Sequence, residues 1–379
     1  MFRLRYGETI VYVGEGAASA LLRRLGAHRR VLIVTGRGSA RRSGALQDAT
    51  RALGEMGVQW ELYDGVRPNP EDRIVDEIAA AAKGGGAEAL LAIGGGSTID
   101  SAKLAAAVAC SGGSARDYLL GIRRPTCALP VYAINLTHGT GSEVDRYSVA
   151  NIREEGRKLG VESVYPRASA DDPAYLRTLP ADQTRYTSLD ALYHALESST
   201  SRETNPMTLS LAQEAAGIIS RRLADAIREP ADIGARTDLL YAAAIAGIAI
   251  DNSVTHIVHV LEHVVSGLNP EVPHGAGLAM LGPRSMRYTH AAMPEESARV
   301  LRALDPGISP SREDAGRAEE AVRRFQGSIG FDESLSDYGF SEGDLGTLVS
   351  RAMESLRGNS LVPFEATPDV VRDIFLSAL

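Results

Sequence analysis

The sequence has few cysteines and no long apolar run, and each of these absences excludes a class of protein. Cys110 and Cys127 are the only cysteines among 379 residues, too few for a disulfide framework or a cysteine-rich zinc site, which predicts a reducing compartment. No uninterrupted apolar run approaches the roughly 18 residues of a membrane span. The first residues also lack the apolar core of a secretory signal. We therefore expect a protein of the cytoplasm.

Charge and length indicate which partners are disfavoured on electrostatic grounds and how many domains the chain has. The 40 basic and 48 acidic residues give a net charge of −8, so there is no electrostatic reason to expect a nucleic acid or an anionic membrane as partner. The 44% of hydrophobic and 23% of charged residues are the proportions of an ordinary globular protein. At roughly 100–200 residues per domain, the length predicts two domains.

The first half of the sequence alternates strand-like and helix-like patterns. The apolar, β-rich runs are residues 30–35, 58–63, 87–93 and 131–134, and amphipathic helical patterns lie at 43–56 and 71–83. Strands that alternate with helices are typical of a parallel sheet with both faces covered. This half therefore predicts an α/β domain with a parallel sheet.

The second half lacks such β-rich runs. Long periodic stretches rich in alanine and leucine occur at residues 188–198, 208–227, 237–250, 254–266, 313–326 and 369–379. The change falls in the proline-marked segment 166–180. We therefore predict an α/β domain over residues 1–179 and an all-helical domain over residues 180–379.

Two glycine-rich turns follow predicted strands of the first half. One strand runs into Gly94-Gly95-Gly96-Ser97, and the next is followed by Gly139-Thr140-Gly141-Ser142-Glu143. Glycine lets backbone N–H groups approach a phosphate, and a helix start adds unpaired donors and positive potential. Neither turn fits the G-x-G-x-x-G fingerprint. A single such turn is usually only a tight connection, but two at the carboxyl ends of strands predict a dinucleotide crevice.

Histidine and aspartate form two helix-paired sets in the second half. Asp190 and His194 lie one helical turn apart, where both can reach one cation. The second set, at helical spacing and ending just past a loop, is His256, His259, His263 and His274. Any one of these histidines alone is better explained as a satisfied polar residue. Together they predict a mixed N/O site for Fe²⁺ or Zn²⁺, and spacing leaves open which three histidines bind.

Six motifs, which occur in a fixed order along the chain, support a specific family resemblance. They are DGVRPNP at 64–70, GGGSTIDSAK at 94–103, GTGSE at 139–143, DALYHALE at 190–197, HVLEH at 259–263 and PHG at 273–275. In this order the chain resembles the iron-containing (group III) alcohol dehydrogenases over nearly its whole length. It departs from the family at residues 136–138, where Leu-Thr-His replaces Thr-Thr-x, which resembles an archaeal-type, NADP-using branch. The resemblance implies a dehydroquinate synthase-like fold with an α/β dinucleotide-binding domain and an all-helical metal-binding domain.

The resemblance also implies roles for individual residues. The metal ligands would be Asp190, His194, His259 and His274. The pyrophosphate loop would contain Gly95, Gly96 and Ser97. Positions near the cofactor or the catalytic pocket would be Asp100, Thr137, Thr140 and Lys158, and we expect Asp100, Lys158 and the substrate-side His263 to be catalytic. His256 and His138 receive no catalytic or binding role.

The turn at residues 36–42 bears on the choice of coenzyme. An acidic residue after the first strand of such a domain would bind the ribose 2′-hydroxyl and repel a 2′-phosphate. This turn has instead glycine, serine and three arginines, and residues 36–44 contain no carboxylate. The alternative is an exposed basic turn, but the resemblance favours NADP(H) over NAD(H). The predicted 2′-phosphate site consists of Gly36, Gly38, Ser39, Arg41 and Arg42.

These observations predict an alcohol dehydrogenase that exchanges hydride between a primary alcohol, or its aldehyde, and NADP(H) with the help of a divalent metal. A dehydrogenase for glycerol or another polyol, a metal- and NAD-dependent lyase resembling dehydroquinate synthase, and a non-enzymatic nucleotide-binding protein are alternatives. Residues 2–13 alternate as an edge strand does, and an exposed edge pairs readily with a second chain. We therefore expect a homodimer.

Overall fold

The computed structural model describes residues 1–379. The chain folds into two compact units. Unit 1 contains residues 1–181 and 229–244, and unit 2 contains residues 182–228 and 245–379. The first division lies two residues after the boundary expected from the sequence. The return of residues 229–244 to unit 1 has no sequence signal, because this segment is helical and rich in alanine like the residues around it.

Unit 1 is built on a seven-stranded, mostly parallel sheet, as the strand–helix alternation predicts. Its strands are β1 (Phe2–Tyr6), β2 (Thr9–Val13), β3 (Arg30–Gly36), β4 (Gln59–Val66), β5 (Ala89–Gly94), β6 (Val131–Asn135) and β9 (Ala168–Asp171). The strand order is β1-β2-β9-β6-β5-β3-β4, and only the β1–β2 pair is antiparallel. The segment predicted as one edge strand is thus a hairpin of β1 and β2. Of these two strands only β1 lies at an edge of the sheet. A separate antiparallel ribbon consists of β7 (Tyr147–Ile152) and β8 (Arg157–Glu162).

Helices and apolar residues cover both faces of this sheet. The helices that follow its strands are α1 (Ala17–Leu22), α2 (Ser39–Arg42), α3 (Ala45–Glu55), α4 (Asp72–Gly84), α5 (Gly96–Ser111) and α6 (Ala115–Leu119). One core packs α4 and α5 on the sheet, and a second core packs α1 and α3 on its other face. Every residue of β5 and β6 is buried, as expected for central parallel strands. The carboxyl ends of β5 and β6 are neighbours, so the chain segments that leave them are brought together.

Unit 2 is helical, which confirms the predicted fold class. Its helices are α7 (Ala181–Thr200), α8 (Pro206–Arg228), α10 (Ile257–Leu268), α11 (His274–Ala292), α12 (Pro294–Leu301), α13 (Ala315–Ser328), α14 (Leu345–Leu356) and α15 (Pro368–Leu376). The remaining helix, α9 (Ile233–Ser253), has its first residues in unit 1 and its last residues in unit 2. The sequence patterns predicted α7 to α10, α13 and α15 but missed α11, α12 and α14.

The glycines of α11 explain why its sequence did not predict a helix. A Cβ atom at Gly275 would lie 1.9 Å from the backbone oxygen of Tyr186, and one at Gly282 would lie 2.1 Å from the ring of Tyr193. Both contacts are with α7. Glycine lowers helix propensity by about 1 kcal/mol relative to alanine, but here it allows α11 to approach α7 closely. Tertiary packing therefore overrides local propensity at the helix that begins with His274.

Helix α9 is long and apolar enough to cross a membrane by length and composition alone. In the structure, however, 72% of its most apolar window is buried inside the protein. Its first turns also contain Arg236, whose side chain is fully buried. These are the properties of a core helix.

A disulfide joins the two cysteines, a bond that sequence analysis did not predict. Cys110 lies in the last turn of α5, and Cys127 lies in the segment before β6. The Ser111 hydroxyl oxygen supports the same connection, since it accepts hydrogen bonds from the backbone N–H groups of Thr126 and Cys127, both at 3.0 Å. The bond is a single exposed crosslink, not the framework of a disulfide-rich domain.

Replacing both cysteines by serine should lower the melting temperature of unit 1. A crosslink between residues 17 positions apart restricts the unfolded chain by roughly 3 kcal/mol. Since about 1 kcal/mol shifts melting by roughly 2–4 °C in a domain of this size, we expect a decrease of about 6–12 °C by calorimetry. A reductant should lower the melting temperature of the unmodified protein and leave the double-serine variant unchanged. Equal melting of both proteins without reductant would contradict this role.

Candidate active site

The two glycine-rich turns of unit 1 pack directly against each other. They follow β5 and β6, which pair in parallel up to Gly94 and Asn135. A Cβ atom at Gly95 would lie 2.7 Å from the Thr137 side chain, and one at Gly96 would lie 2.3 Å from the Thr140 side chain. Only glycine therefore fits at these two positions. The structure thus brings together four of the residues predicted to bind a dinucleotide.

Residues at the start of α5 hold the second turn in place. The Ser142 hydroxyl donates to the Asp100 carboxylate, which also accepts from the Val149 backbone N–H at 3.0 Å. The ammonium of Lys103 is fully buried and donates to the Ser142 carbonyl at 3.0 Å and to the Asp145 carboxylate at 2.9 Å. Burial raises the pKa of Asp100, although Lys103 opposes this effect. These are the contacts of a residue that positions the turn, and the catalytic role of Asp100 stays a prediction.

Lys158 lies on the β7–β8 ribbon and reaches the DGVRPNP motif. Its ammonium donates to the Asn69 side-chain oxygen at 3.1 Å and is nearly buried. Asn69 has a φ of 50°, in the left-handed region that asparagine tolerates better than most residues. The backbone carbonyl of Asn69 in turn accepts from the side chain of Asn151 at 2.9 Å. The motif thus fixes the lysine that was predicted near the cofactor.

Thr137 belongs to a buried polar network that the sequence did not reveal. Asn135 accepts from the Thr137 backbone N–H at 3.1 Å and donates to the Asp171 carboxylate at 3.0 Å. Burial and the neighbouring Asp171 raise the pKa of Glu143 well above its usual value, and burial raises that of Asp171 to about 7. Both carboxylate oxygens of Glu143 are buried without a hydrogen-bond partner. Because a neutral carboxyl group costs less to bury than a carboxylate, these surroundings favour a neutral Glu143.

His138, which had no assigned role, contacts α9. Its Nε2 lies 2.9 Å from a guanidinium nitrogen of Arg236, and both side chains are fully buried. Burial, aided by the positive charge of Arg236, lowers the pKa of His138 to about 3, so the imidazole is neutral. The contact anchors His138, which lies in the chain between Thr137 and Thr140.

The basic turn at the end of β3 differs from its prediction in one respect. Arg41 forms an ion pair at 3.1 Å with Asp64, the first residue of the DGVRPNP motif, and both side chains are about half exposed. Residues 36–44 contain no carboxylate, but the fold places one beside this turn. Asp64 lies on β4, which pairs with β3, so it is close in space although distant in sequence. The Arg42 guanidinium packs over Gly38, where a Cβ atom would lie 2.3 Å away.

In unit 2, three helices place the predicted metal ligands around one point. Asp190 and His194 are one turn apart on α7, His259 lies in the first turn of α10, and His274 is the first residue of α11. The Asp190 Oδ1 atom is 3.3 Å from Nε2 of His194 and 3.6 Å from Nε2 of both His259 and His274. Two atoms that bind one tetrahedral ion at about 2.0–2.2 Å lie roughly 3.3–3.6 Å apart.

The hydrogen bonding at this point fits a cation as well. Asp190 Oδ1 and His259 Nε2 are buried and have no hydrogen-bond partner, although they face each other. Buried polar atoms are normally satisfied. A carboxylate and three imidazole Nε2 atoms that converge in this way form a donor set that Fe²⁺ and Zn²⁺ accept. Asp190, His259 and His274 lie close enough to one another to hold a divalent ion, and His194 approaches the same Asp190 oxygen.

The electrostatics of these side chains support this interpretation. Burial would raise the pKa of Asp190, but His194 and His274 hold it well below its usual range. Burial lowers the pKa of His194 to about 4, whereas contacts with Asp190 and Glu197 overcome the effect of burial and raise that of His259 to about 9. The surroundings therefore favour an ionised Asp190 and a positive charge beside it. A divalent cation would supply that charge in place of a proton, because metal binding requires neutral imidazole.

Two glutamates behind the ligands were missed by sequence analysis. Glu197 Oε2 accepts from His259 Nδ1 at 2.5 Å, and Glu262 contacts His274 Nδ1. Both glutamates are fully buried. Their positions in the sequence could have indicated this role. Glu197 lies three residues after His194, and Glu262 lies three residues after His259, so each glutamate is on the same helix face as a ligand.

His263 and His256 have different surroundings. His263 lies one turn after His259, is partly exposed, and its ring centre is 5.8 Å from that of His274. His256 is fully buried; its Nε2 contacts the Thr200 hydroxyl at 3.1 Å and its Nδ1 lies 3.2 Å from Glu197. Of the two histidines left out of the ligand set, only His263 is open to a small molecule.

Two packed glycine-rich turns at the end of a parallel sheet and a carboxylate–histidine cluster on a helical unit are the parts expected of a metal- and nucleotide-dependent oxidoreductase. Residues 8–173 match the sequence model of the family described as iron-containing alcohol dehydrogenase, and residues 184–379 match that of its C-terminal domain. The chain belongs to this family. Membership implies an oxidoreductase for small alcohols and aldehydes that uses a nicotinamide coenzyme and a divalent metal, usually iron.

Individual relatives and solved structures agree. The chain is 37% identical to the long-chain primary alcohol dehydrogenase AdhA of Thermoanaerobacter ethanolicus over 91% of this chain and 88% of that protein. Its structure matches an archaeal halo-thermophilic alcohol dehydrogenase from a Red Sea brine pool, with a TM-score of 0.93, 27% identity and coverage of 100% and 99%. It also matches the NADH-dependent butanol dehydrogenase A of Thermotoga maritima, with a TM-score of 0.90, 28% identity and coverage of 99% and 98%.

Proposed function

We propose that the protein interconverts primary alcohols and aldehydes with a nicotinamide coenzyme, and that one divalent ion, Fe²⁺ in preference to Zn²⁺, is held by Asp190, His194, His259 and His274. The observation that carries this proposal is the convergence of three imidazole Nε2 atoms within 3.6 Å of one Asp190 oxygen. The related long-chain primary alcohol and butanol dehydrogenases support a primary alcohol as substrate.

The chain's own residues have separate tasks in this reaction. The bound cation supplies Lewis acidity toward the alcohol or carbonyl oxygen. Gly95, Gly96 and the start of α5 bind the coenzyme pyrophosphate through backbone N–H groups, while Thr137 and Thr140 line the same crevice. His263, partly exposed beside His274, holds and passes on the proton of the alcohol, a task suited to imidazole near neutral pH.

We further propose that the coenzyme is NADP(H) in preference to NAD(H). Gly36 ends β3, and Ser39 and Arg42 lie in the short helix α2 that follows. The pairing of Arg41 with Asp64 weakens the positive field of the turn without cancelling it, because two further arginines remain. The butanol dehydrogenase of Thermotoga maritima is NADH-dependent and the methanol dehydrogenase of Bacillus methanolicus is NAD-dependent, so the proposed preference rests on the basic turn of this chain.

The function is tested by metal analysis together with a screen of aldehydes. We expect about one divalent ion per chain and steady oxidation of NADPH with straight-chain aldehydes, lost on chelation and restored by Fe²⁺. A lyase that regenerates its coenzyme would show no net oxidation of NADPH. A polyol dehydrogenase would prefer glycerol-type substrates over simple alcohols. Absence of turnover with all aldehydes by the metal-loaded protein would contradict the proposal.

We also propose that the protein is a homodimer that pairs through β1. This strand lies at the sheet edge; its first residue, Phe2, is 44% exposed and the preceding Met1 68%, while the exposed Arg3 and Arg5 add charge to the same edge. Exposed apolar edges favour pairing with a second chain, and charge on the edge opposes it. Light scattering should give twice the chain mass of 40.3 kDa, and Phe2→Lys should shift the protein toward the monomer. A monomer at micromolar concentration would contradict the proposal.

A further inference from the structure

We propose that Glu197 and Glu262 are positioning residues that fix the orientation of two metal ligands, His259 and His274. This inference rests on the proposed metal site. Each glutamate lies on the helix of one ligand and contacts a ligand that belongs to another helix. The metal site and the packing of α7, α10 and α11 would then depend on the same two carboxylates.

Glu197 is surrounded by donors from the start of α10. Its Oε1 accepts from the Val258 backbone N–H at 2.7 Å, and its Oε2 accepts from the His259 backbone N–H at 3.2 Å and from His259 Nδ1 at 2.5 Å. The carboxylate thus satisfies two of the unpaired N–H groups of the helix end. The same carboxylate holds the ring of the ligand that follows, so the ring cannot rotate independently of α10.

Glu262 repeats this arrangement one helix further on. It lies three residues after His259 on α10, and its Oε2 contacts Nδ1 of His274 on α11. Gly277 provides the space, because a Cβ atom there would lie 2.8 Å from Cγ of Glu262. Glu262 is fully buried. The close packing of α10 and α11 therefore places the Glu262 carboxylate against the Nδ1 side of a second ligand, His274.

The consequence for the ligands is chemical as well as geometric. When Nδ1 of an imidazole donates to a carboxylate, the lone pair remains on Nε2 and the ring becomes a stronger donor to a metal. Nε2 is the atom that faces Asp190 in both His259 and His274. His194 differs, since its buried Nδ1 has no hydrogen-bond partner and its ring instead stacks on His259 with centres 4.8 Å apart.

The substitutions Glu197→Gln and Glu262→Gln test the proposal with little change in volume. Each Glu197 oxygen accepts from at least one N–H group of α10, so the amide NH₂ of glutamine would oppose one of these donors in either orientation. The one other group at hydrogen-bond distance is Nδ1 of His256, 3.2 Å from Oε1. Glu143→Gln is the matched control, because Glu143 is equally buried but belongs to unit 1 and contacts none of the ligands. Melting curves of the metal-free variants in EDTA establish that each one folds.

The readout is Zn²⁺ affinity, measured by competition with a chromophoric chelator on the full-length protein. We expect one Zn²⁺ per unmodified chain, a dissociation constant raised roughly 10- to 100-fold in each of the two variants, and an unchanged constant in Glu143→Gln. The visible spectrum of bound Co²⁺ should also shift in the two variants, which a role confined to helix capping would not cause. If Glu197→Gln does not fold, Glu262→Gln decides the matter.

The possible failures are distinct. Unmodified affinity and an unchanged Co²⁺ spectrum in folded Glu197→Gln and Glu262→Gln would overturn the positioning role while leaving the metal site intact. No Zn²⁺ binding by the unmodified protein would overturn the proposed metal site and, with it, this inference.

Discussion

His259→Ala should remove the metal and reduce kcat/KM by about a thousandfold or more, while leaving the fold largely intact. A bound cation supplies several kcal/mol of charge stabilisation in the transition state, and each 1.36 kcal/mol is a factor of ten. The substitution deletes one of the three imidazoles around Asp190 and also leaves the Glu197 carboxylate without its side-chain partner. Metal content by mass spectrometry and aldehyde reduction measure the two losses.

His290→Ala provides the control for this experiment. His290 is a fully buried histidine of α11 that bonds to Ser297 at 2.7 Å and to the Ser311 carbonyl at 2.9 Å. Its loss should lower stability by roughly 1–3 kcal/mol, because buried partners lose hydrogen bonds, without changing the metal content. A His259→Ala protein that retained its full metal content would show that the ligands are assigned wrongly.

The second large effect concerns the coenzyme. Gly36→Asp should shift the ratio of kcat/KM for NADPH and NADH toward NADH by roughly ten- to a hundredfold. A charge-assisted hydrogen bond contributes about 1.5–3 kcal/mol, which the 2′-phosphate would lose beside a new carboxylate. Because a Cβ atom at position 36 would lie 3.1 Å from the Val66 backbone oxygen of the paired strand, the melting temperature of the variant is measured beside its kinetics.

Two further variants separate binding from general charge effects. Asp64→Asn releases Arg41 from its ion pair, so it should increase the preference for NADPH. Gly54→Asp adds the same charge to unit 1 at an exposed position of α3 with no atom within 4 Å, so it should leave the preference unchanged. If the turn is only an exposed basic loop, none of the three variants will alter the ratio. Equal use of both coenzymes, or a preference for NADH by the unmodified protein, would also contradict the prediction.

The sequence predicted features that depend on neighbours along the chain. The spacing of Asp190 and His194 on one helix face determines that both can reach one point, and the strand–turn–helix pattern around Gly95 places backbone donors at a sheet edge. These local patterns survive in the structure because buried strands and amphipathic helices have few alternative arrangements. The resemblance to the family supplied the choice among His256, His259, His263 and His274, which spacing alone left open.

Features that depend on segments distant in the chain could not be predicted from the sequence. Asp64 approaches Arg41 only because β4 pairs with β3, and Arg236 meets His138 only because α9 returns to unit 1. Helix α11 carries glycines that argue against a helix until its contact with α7 is known. The roles of Glu197 and Glu262 follow from packing between helices, which no single-segment pattern contains.

The most direct test of the metal site is anomalous diffraction at the iron edge from crystals of the Fe²⁺-loaded protein. We predict one peak per chain, about 2.0–2.2 Å from Asp190 Oδ1 and from Nε2 of His194, His259 and His274. The same map should show no peak at the buried carboxylates Glu143 and Asp171. A peak at a different set of side chains, or no peak beside Asp190 in protein that contains iron, would contradict the assignment.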